Sequence, residues 1–180
     1  MSKEIAKDLD PNVPVTILCI LKGAFRFTID LMASLSAQCG QPMQIDFLRL
    51  KSYENDSSTG TVKLVGSLPA LSMIQDRHIL IVEDIIDTGR TIHALKEMLV
   101  GMNPRSMSVA TLLWKEFEDS EKNAQRLHKI PVITPDYVGF RIPDLFVIGY
   151  GLDYNEFYRD LDHICVINEA GKKRFAEPSE

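Results

Sequence analysis

Three carboxylates stand beside a turn of small residues near the middle of the chain, where residues 83–91 read Glu-Asp-Ile-Ile-Asp-Thr-Gly-Arg-Thr. The run before them, His78 to Val82, becomes continuously apolar, as in a strand buried on both faces. After Arg90, apolar residues recur at helical spacing. Residues 87–91 are therefore predicted to open a helix whose first backbone N–H groups lack intrahelical partners.

The turn at residues 87–91 suits a phosphate, because free N–H donors and the helix dipole both favour an anion. Glu83 and Asp84 would repel a bare phosphate, but their oxygens suit the vicinal hydroxyls of a sugar and a hydrated magnesium ion. The pattern therefore indicates a phosphorylated sugar as ligand. In the alternative interpretation, the acids only solubilise the end of a strand, where polar loop residues are common.

Apolar segments alternate with helical patterns along the chain, which is typical of a parallel sheet with crossover helices. We predict an α/β fold, with a doubly wound, mainly parallel sheet flanked by helices, in a single domain spanning residues 1–180. The predicted strands are 13–21, 43–53, 62–65, 78–82, 106–115, 137–140, 145–153 and 163–168. Helices are predicted after residues 25 and 90, a charged excursion over 116–134, and a loosely held tail over 170–180.

Ligands of open parallel sheets bind at the carboxyl ends of the strands, near the point where the strand order reverses. Lys22-Gly23, Ser52-Tyr53, residues 83–91 and Lys115 each lie at the end of a predicted strand. These segments are far apart in sequence, but the fold is expected to bring them to one edge.

Composition narrows the classes of partner. The net charge of −5 argues against a protein that binds nucleic acid. No apolar run approaches the length that a membrane span needs, and no signal segment opens the chain. We therefore expect a cytoplasmic protein that does not bind a membrane. The three cysteines and four histidines show no metal-ligand spacing, which favours reduced thiols and ordinary histidines.

Residues 83–91 resemble the phosphoribosyl pyrophosphate (PRPP) motif of the type I phosphoribosyltransferases, in the form found in the hypoxanthine-guanine branch of that family. Further segments match in the same order over most of the chain: 21–23, 49–53, 138–140 and 150–161. The resemblance implies the family fold, with a small hood over the base built mainly by residues 141–180. Whether the short N-terminal segment leaves that hood complete is open.

The resemblance also implies a purine salvage enzyme. It would transfer the 5-phosphoribosyl group from PRPP to hypoxanthine or guanine, a 6-oxopurine base, giving IMP or GMP and pyrophosphate with Mg2+ as cofactor. A homodimer or homotetramer is implied as well, with residues 49–51 near the subunit contact. The alternative is a regulatory protein that binds PRPP or nucleotide and is catalytically weak or inactive.

Roles toward PRPP follow from the resemblance. Asp87 would be the general base that accepts the N7 proton of the purine. The pyrophosphate would lie on Lys22, Gly23 and Arg159, and the ribose hydroxyls on Glu83 and Asp84. The 5′-phosphate would be held by Thr88, Gly89, Arg90 and Thr91. The magnesium ligands would come from Glu83, Asp84 and Asp153.

Roles toward the base are implied in the second half of the chain. Lys115 would read the exocyclic oxygen, because an ammonium group donates hydrogen bonds and does not accept them. Phe146 would stack on the base, Val147 would contact its edge through the main chain, and Asp153 would lie near its amine. Ser52 and Tyr53 would begin a mobile loop that excludes water from the reacting centre. The resemblance also implies a cis peptide bond between Lys22 and Gly23.

Each residue also has an ordinary structural interpretation. Asp87 is typical of a helix N-cap, and Lys22 and Lys115 of solvated lysines at strand ends. Phe146 alone would be placed in the core. Asp153 and Arg159 could form surface ion pairs, and Ser52-Tyr53 could belong to an exposed hairpin connection. An NTPase phosphate loop is disfavoured, because the chain has no GxxxxGK[ST] sequence.

Overall fold

The computed structural model describes residues 1–52, 62–116 and 133–176. Their elements, in chain order, are α1 (Ser2–Asp8), β1 (Val15–Leu21), α2 (Phe25–Cys39), β2 (Met43–Ser52), β3 (Val62–Val65), a 3-10 turn (Leu71–Met73), β4 (His78–Ile86), α3 (Arg90–Val100), β5 (Ser106–Glu116), β6 (Tyr137–Pro143), β7 (Val147–Ile148), β8 (Cys165–Val166) and α4 (Glu169–Arg174).

The main sheet has the strand order β3-β2-β1-β4-β5-β6. Strand β1 pairs in parallel with both β2 and β4, and the parallel pairing continues to β5 and β6. Only β3 is antiparallel to its neighbour among these six strands. The chain thus winds outward in two directions from β1 and β4, so the point where strand order reverses lies between their carboxyl ends. The predicted fold class is confirmed.

Helices cover both faces of the sheet. Neighbouring residues of a strand point to opposite sides, so each strand contributes side chains to both faces. Ile17 of β1 belongs to a buried cluster with Leu31 of α2. Leu18, the next residue, belongs to a second buried cluster with Leu95 of α3. The two helices therefore pack on opposite faces and leave the strand ends available for ligands.

Strand β4 is longer than predicted. It continues from Val82 to Ile86, because Ile85 and Ile86 pair with Leu113 and Trp114 of β5. Glu83 and Asp84 accordingly stand near the end of a strand and not in a loop, which fixes their backbone positions.

The predicted strands 145–153 and 163–168 are wrong in extent. Strand pairing there is limited to Val147–Ile148 with Cys165–Val166, besides an isolated bridge between Gly149 and Leu152. Gly149 and Gly151 adopt positive φ values of 95° and 103°, which breaks the extended backbone. The described part of the predicted hood, residues 141–176, therefore contains a short antiparallel strand pair, turns and helix α4 instead of two long strands.

Helices at the two ends of the chain were not predicted. Helix α1 places Ile5 in the buried cluster of α2. Helix α4 replaces part of the predicted loose tail, because the Asn168 side chain accepts a hydrogen bond from the Gly171 N–H (2.8 Å) and caps the helix. None of the helices in the described ranges is long and apolar enough to cross a membrane.

Candidate active site

Gly23 allows the loop after β1 to approach the carboxyl end of β4. A Cβ atom at this position would overlap the carboxylate of Asp84, so a larger residue would displace one of them. The carbonyl oxygen of Gly23 lies in turn against Gly151. Ala24, the next residue, is fully buried in a right-handed conformation, so its methyl group is accommodated without backbone strain. Three segments distant in sequence thus converge at this glycine.

The cis peptide bond lies one bond earlier than expected, between Leu21 and Lys22. The sequence motif indicates the turn but does not specify which of its consecutive bonds is cis.

One cavity of about 210 Å³ joins residues predicted for PRPP with residues predicted for the base. Its predicted members are Asp84, Asp87, Lys115, Phe146, Val147 and Asp153. The remaining lining residues are Ile85, Leu145 and Leu152, which provide apolar walls. An apolar pocket with a few convergent polar groups is the usual form of a small-molecule site.

Asp144 orients Lys115. The Lys115 Nζ atom is 2.7 Å from an Asp144 carboxylate oxygen, and the lysine side chain is only 13% exposed. An ion pair holds the ammonium group at the wall of the cavity, so the interpretation as a freely solvated lysine does not hold. Phe146 is 49% exposed and meets Tyr154 edge to face at 5.6 Å, which places its ring in the cavity wall and not in the core.

The turn after β4 leaves the N-terminus of α3 without a side-chain cap. Gly89 is the N-cap residue, with a φ of 77°, and Arg90 and Thr91 are the first helical residues. The N-cap interpretation of Asp87 is therefore wrong, because Asp87 lies two residues earlier and lines the cavity. Thr88 follows it in the same turn, so the backbone donors predicted for a phosphate stand beside the acids.

A network of charges occupies the loop after β7. Arg159 Nη2 is 2.8 Å from Asp153 Oδ1 and 3.1 Å from Glu156 Oε2. Lys22 Nζ is 2.8 Å from the same Glu156 oxygen. The two cations predicted for pyrophosphate therefore lie on either side of one carboxylate.

Helix α2 clamps this loop. Arg26 donates from Nη1 to the Leu161 carbonyl at 3.1 Å, and its Nη2 is 2.7 Å from an Asp162 carboxylate oxygen. Its guanidinium also lies 5.0 Å from the centre of the Tyr150 ring, whose hydroxyl donates to Asp30. The loop that bears Asp153 and Arg159 is thus tied to the helix that follows β1.

The acids at the end of β4 lie in a poorly solvated environment. Burial raises the pKa of Glu83 well above its ordinary value, and the Asp84 carboxylate adds to this by its charge and a hydrogen bond. Burial also raises the pKa of Asp84 to about 6, against the opposing effects of the Ile85 N–H and the Arg159 charge. A cation bound nearby would favour the ionised form of both carboxylates.

These acids fit a magnesium ion that binds together with substrate. Glu83 Oε2 is buried and has no hydrogen-bond partner in the described ranges. Those ranges contain no cluster of three or more potential metal-binding side chains. Magnesium usually keeps several waters and takes one or two carboxylates plus substrate phosphates, so a site completed by substrate does not require such a cluster.

Ser52 ends β2, whereas Tyr53 and the polar residues 54–60 lie outside the described residues. Asp144 and Glu156 were not predicted, although both bind predicted cations. Lys115 is 29 residues from Asp144, and Lys22 is 134 residues from Glu156, so only the fold shows these two pairs. The pair of Glu156 with Arg159 is local, three residues apart.

The chain belongs to the phosphoribosyltransferase family, since the family model for the phosphoribosyl transferase domain matches residues 1–155. Hypoxanthine-guanine phosphoribosyltransferase of Homo sapiens is 42% identical over 97% of this chain and 77% of its own length. Phosphoribosyltransferase domain-containing protein 1 of Homo sapiens is also 42% identical, over 97% of this chain and 75% of its own length.

Solved structures of hypoxanthine phosphoribosyltransferase from Trypanosoma cruzi are similar in fold. A point mutant in complex with the product IMP has a TM-score of 0.80, with 34% identity over 99% of this chain and 88% of the other. A second structure, concerned with the role of the C-terminal region in oligomeric state and activity, has a TM-score of 0.78, with 34% identity over 96% of this chain and 86% of the other.

Proposed function

We propose that this chain is a purine salvage enzyme that transfers the 5-phosphoribosyl group of PRPP to hypoxanthine or guanine. The products are IMP or GMP and pyrophosphate. The observation that carries this proposal is the single cavity in which Asp84, Asp87 and Asp153 face Lys115 and Phe146. The relatives named hypoxanthine-guanine phosphoribosyltransferase support the same reaction.

Lys115 and Phe146 select and orient the base. The ammonium group, held by Asp144, donates a hydrogen bond to the exocyclic oxygen of a 6-oxopurine. Adenine presents an amino group there, so the ammonium donor of Lys115 would face another donor instead of an acceptor. The exposed ring of Phe146 stacks on the base, and the main chain of Val147 meets its edge.

Asp87 accepts the proton that leaves N7 as the bond between N9 and the ribose carbon forms. The backbone donors of Thr88 and Gly89, with Arg90 and Thr91 behind them, hold the 5′-phosphate at the start of α3. Glu83 and Asp84 accept hydrogen bonds from the ribose hydroxyls. Lys22, Gly23 and Arg159 hold the pyrophosphate that leaves, and Ser52-Tyr53 begin the loop that excludes water.

Magnesium would be held by Glu83, Asp84 and Asp153 together with substrate oxygens. When bound, it neutralises charge that develops on the leaving pyrophosphate. We also infer a homodimer or homotetramer, which the family resemblance implies. The three cysteines are free thiols, which agrees with the cytoplasmic location that we propose.

Turnover separates this proposal from a regulatory PRPP-binding protein. The purified chain is incubated with PRPP, Mg2+ and hypoxanthine, and the products are separated by chromatography. We expect IMP and pyrophosphate in equal amounts. PRPP binding without any nucleotide would contradict the enzymatic proposal and support the regulatory one.

A further inference from the structure

The carboxylate of Glu156 lies where an anionic ligand of Lys22 and Arg159 would be expected. Its Oε2 atom is 2.8 Å from Lys22 Nζ and 3.1 Å from Arg159 Nη2, so one oxygen serves both cations. These are the two side chains to which the proposed function assigns pyrophosphate. The cation pair therefore already shares a carboxylate of the protein in this structure.

The backbone around Glu156 does not account for a glutamate at this position. The Tyr154 and Phe157 N–H groups each donate to the other residue's carbonyl, at 3.1 and 3.0 Å, and close a two-residue turn. Both central residues have positive φ, 50° at Asn155 and 71° at Glu156. Such turns favour asparagine and glycine, so Asn155 suits its place and Glu156 is strained.

The turn nevertheless holds the Glu156 side chain in a defined direction. The Glu156 N–H donates to Asp153 Oδ2 at 2.8 Å, and Asp153 Oδ1 pairs with Arg159. Arg159 therefore retains one carboxylate if Glu156 moves. The Glu156 side chain is 58% exposed, so it can leave the cations for solvent without disturbing a packed interior.

We propose that the Glu156 carboxylate competes with a diphosphate for Lys22 and Arg159 and must be displaced when the diphosphate binds. Displacement breaks the contacts of one oxygen with two cations, and this lowers the affinity for pyrophosphate. The same competition favours return of the carboxylate as the product leaves. Glu156 thus weakens product inhibition, an inference that rests on the proposed function of Lys22 and Arg159.

The test compares the affinity of inorganic pyrophosphate for the wild-type chain and for Glu156→Gln, by calorimetry with Mg2+ present. Removing the carboxylate should tighten pyrophosphate binding about three- to five-fold, the usual scale for exposed ion pairs. IMP affinity should not change, because Glu156 does not line the base cavity. Glu169→Gln is the matched control, since Glu169 pairs with Lys172 at 2.8 Å outside the site.

A second variant keeps the test decisive. Glu156→Gly removes the carboxylate and also suits the positive φ, so it should fold at least as well as the wild type and tighten pyrophosphate binding equally. Unchanged or weaker binding in Glu156→Gln, or in Glu156→Gly should the first variant not fold, would overturn the inference. Failure of the wild-type chain itself to bind pyrophosphate or form nucleotide would instead overturn the proposed function.

Discussion

Asp87 is the residue on which the proposed chemistry depends most. It lines the cavity together with Lys115, and the N-cap position of α3 is held by Gly89, two residues further on. A substitution at this position should therefore affect the reaction more than the fold.

We predict that Asp87→Asn lowers turnover by about 100-fold or more, because an amide cannot accept the N7 proton as a carboxylate does. PRPP affinity, measured by calorimetry, should change far less. Asp76→Asn is a suitable control, because Asp76 is an exposed acid with positive φ ahead of β4. Equal turnover in wild type and Asp87→Asn would remove Asp87 from this role.

Glu83 illustrates a conflict between stability and function. Its buried Oε2 has no hydrogen-bond partner in the described part of the chain, and burial raises its pKa well above the ordinary value. A carboxyl group whose pKa is raised in the folded state destabilises that state when the group is ionised. Stability is therefore lost as pH rises from the ordinary pKa through the folded one. Asp84, with a pKa of about 6, acts in the same direction.

Glu83→Gln should consequently raise the free energy of unfolding of the ligand-free chain by about 1–3 kcal/mol near pH 8. The gain should be smaller near pH 5, where more of the wild-type carboxyl is protonated. Thermal unfolding at both pH values measures it, with exposed Glu97→Gln of α3 as the control. A destabilised variant at the higher pH would contradict this account of the buried acid.

At the scale of elements, α2 and the loop after β7 form one unit. Arg26 reaches the loop through the Leu161 carbonyl, the Asp162 carboxylate and the Tyr150 ring. The loop in turn carries Asp153 and Arg159, so the clamp fixes groups that Arg26 does not touch.

Arg26→Ala should raise the KM for PRPP about five-fold, because the loop loses an ion pair and a ring contact worth about 1 kcal/mol together. Arg141→Ala is a closely matched control. Arg141 makes the same two kinds of contact, with Glu116 at 3.1 Å and Trp114 at 4.3 Å, but on β6. An equal rise in KM in both variants would contradict a specific role of the clamp.

The sequence predicted elements well where periodicity was strong. The strand Val62–Val65 and the start of α3 at Arg90 were correct, because polar or glycine-rich turns bound these segments. The apolar run 145–153 misled, since apolar character cannot distinguish a paired strand from a buried turn whose glycines adopt positive φ. The pairs of Asp144 with Lys115 and of Glu156 with Lys22 were missed because ion pairs between distant residues leave no local pattern.

We expect the exposed apolar side chains of β2 and β3 to lie in the subunit contact of the proposed oligomer. Phe47 and Val65 are 49% and 44% exposed. Val65 pairs with Arg49, which shares a strand face with Phe47, so the two apolar side chains lie on the same face. This position is close to residues 49–51, where the family resemblance placed the contact.

Light scattering should give a mass of about two or four times the 20.3 kDa chain. Phe47→Glu should shift it toward the monomer, because a charge at the centre of an apolar contact is costly to bury. Ile29→Glu, an exposed apolar position on α2, tests whether any added charge has this effect. A monomeric wild-type chain would contradict the oligomer.

The proposed transfer to a 6-oxopurine is best tested by the rate of nucleotide formation with PRPP and Mg2+. Hypoxanthine, guanine, xanthine and adenine are compared as the base. We predict turnover with the 6-oxopurines. The kcat/KM for adenine should be lower by at least about 100-fold, because Lys115 can only donate to the 6-substituent. The preference should collapse in Lys115→Met. Comparable rates with adenine and hypoxanthine in the wild-type chain would contradict the account.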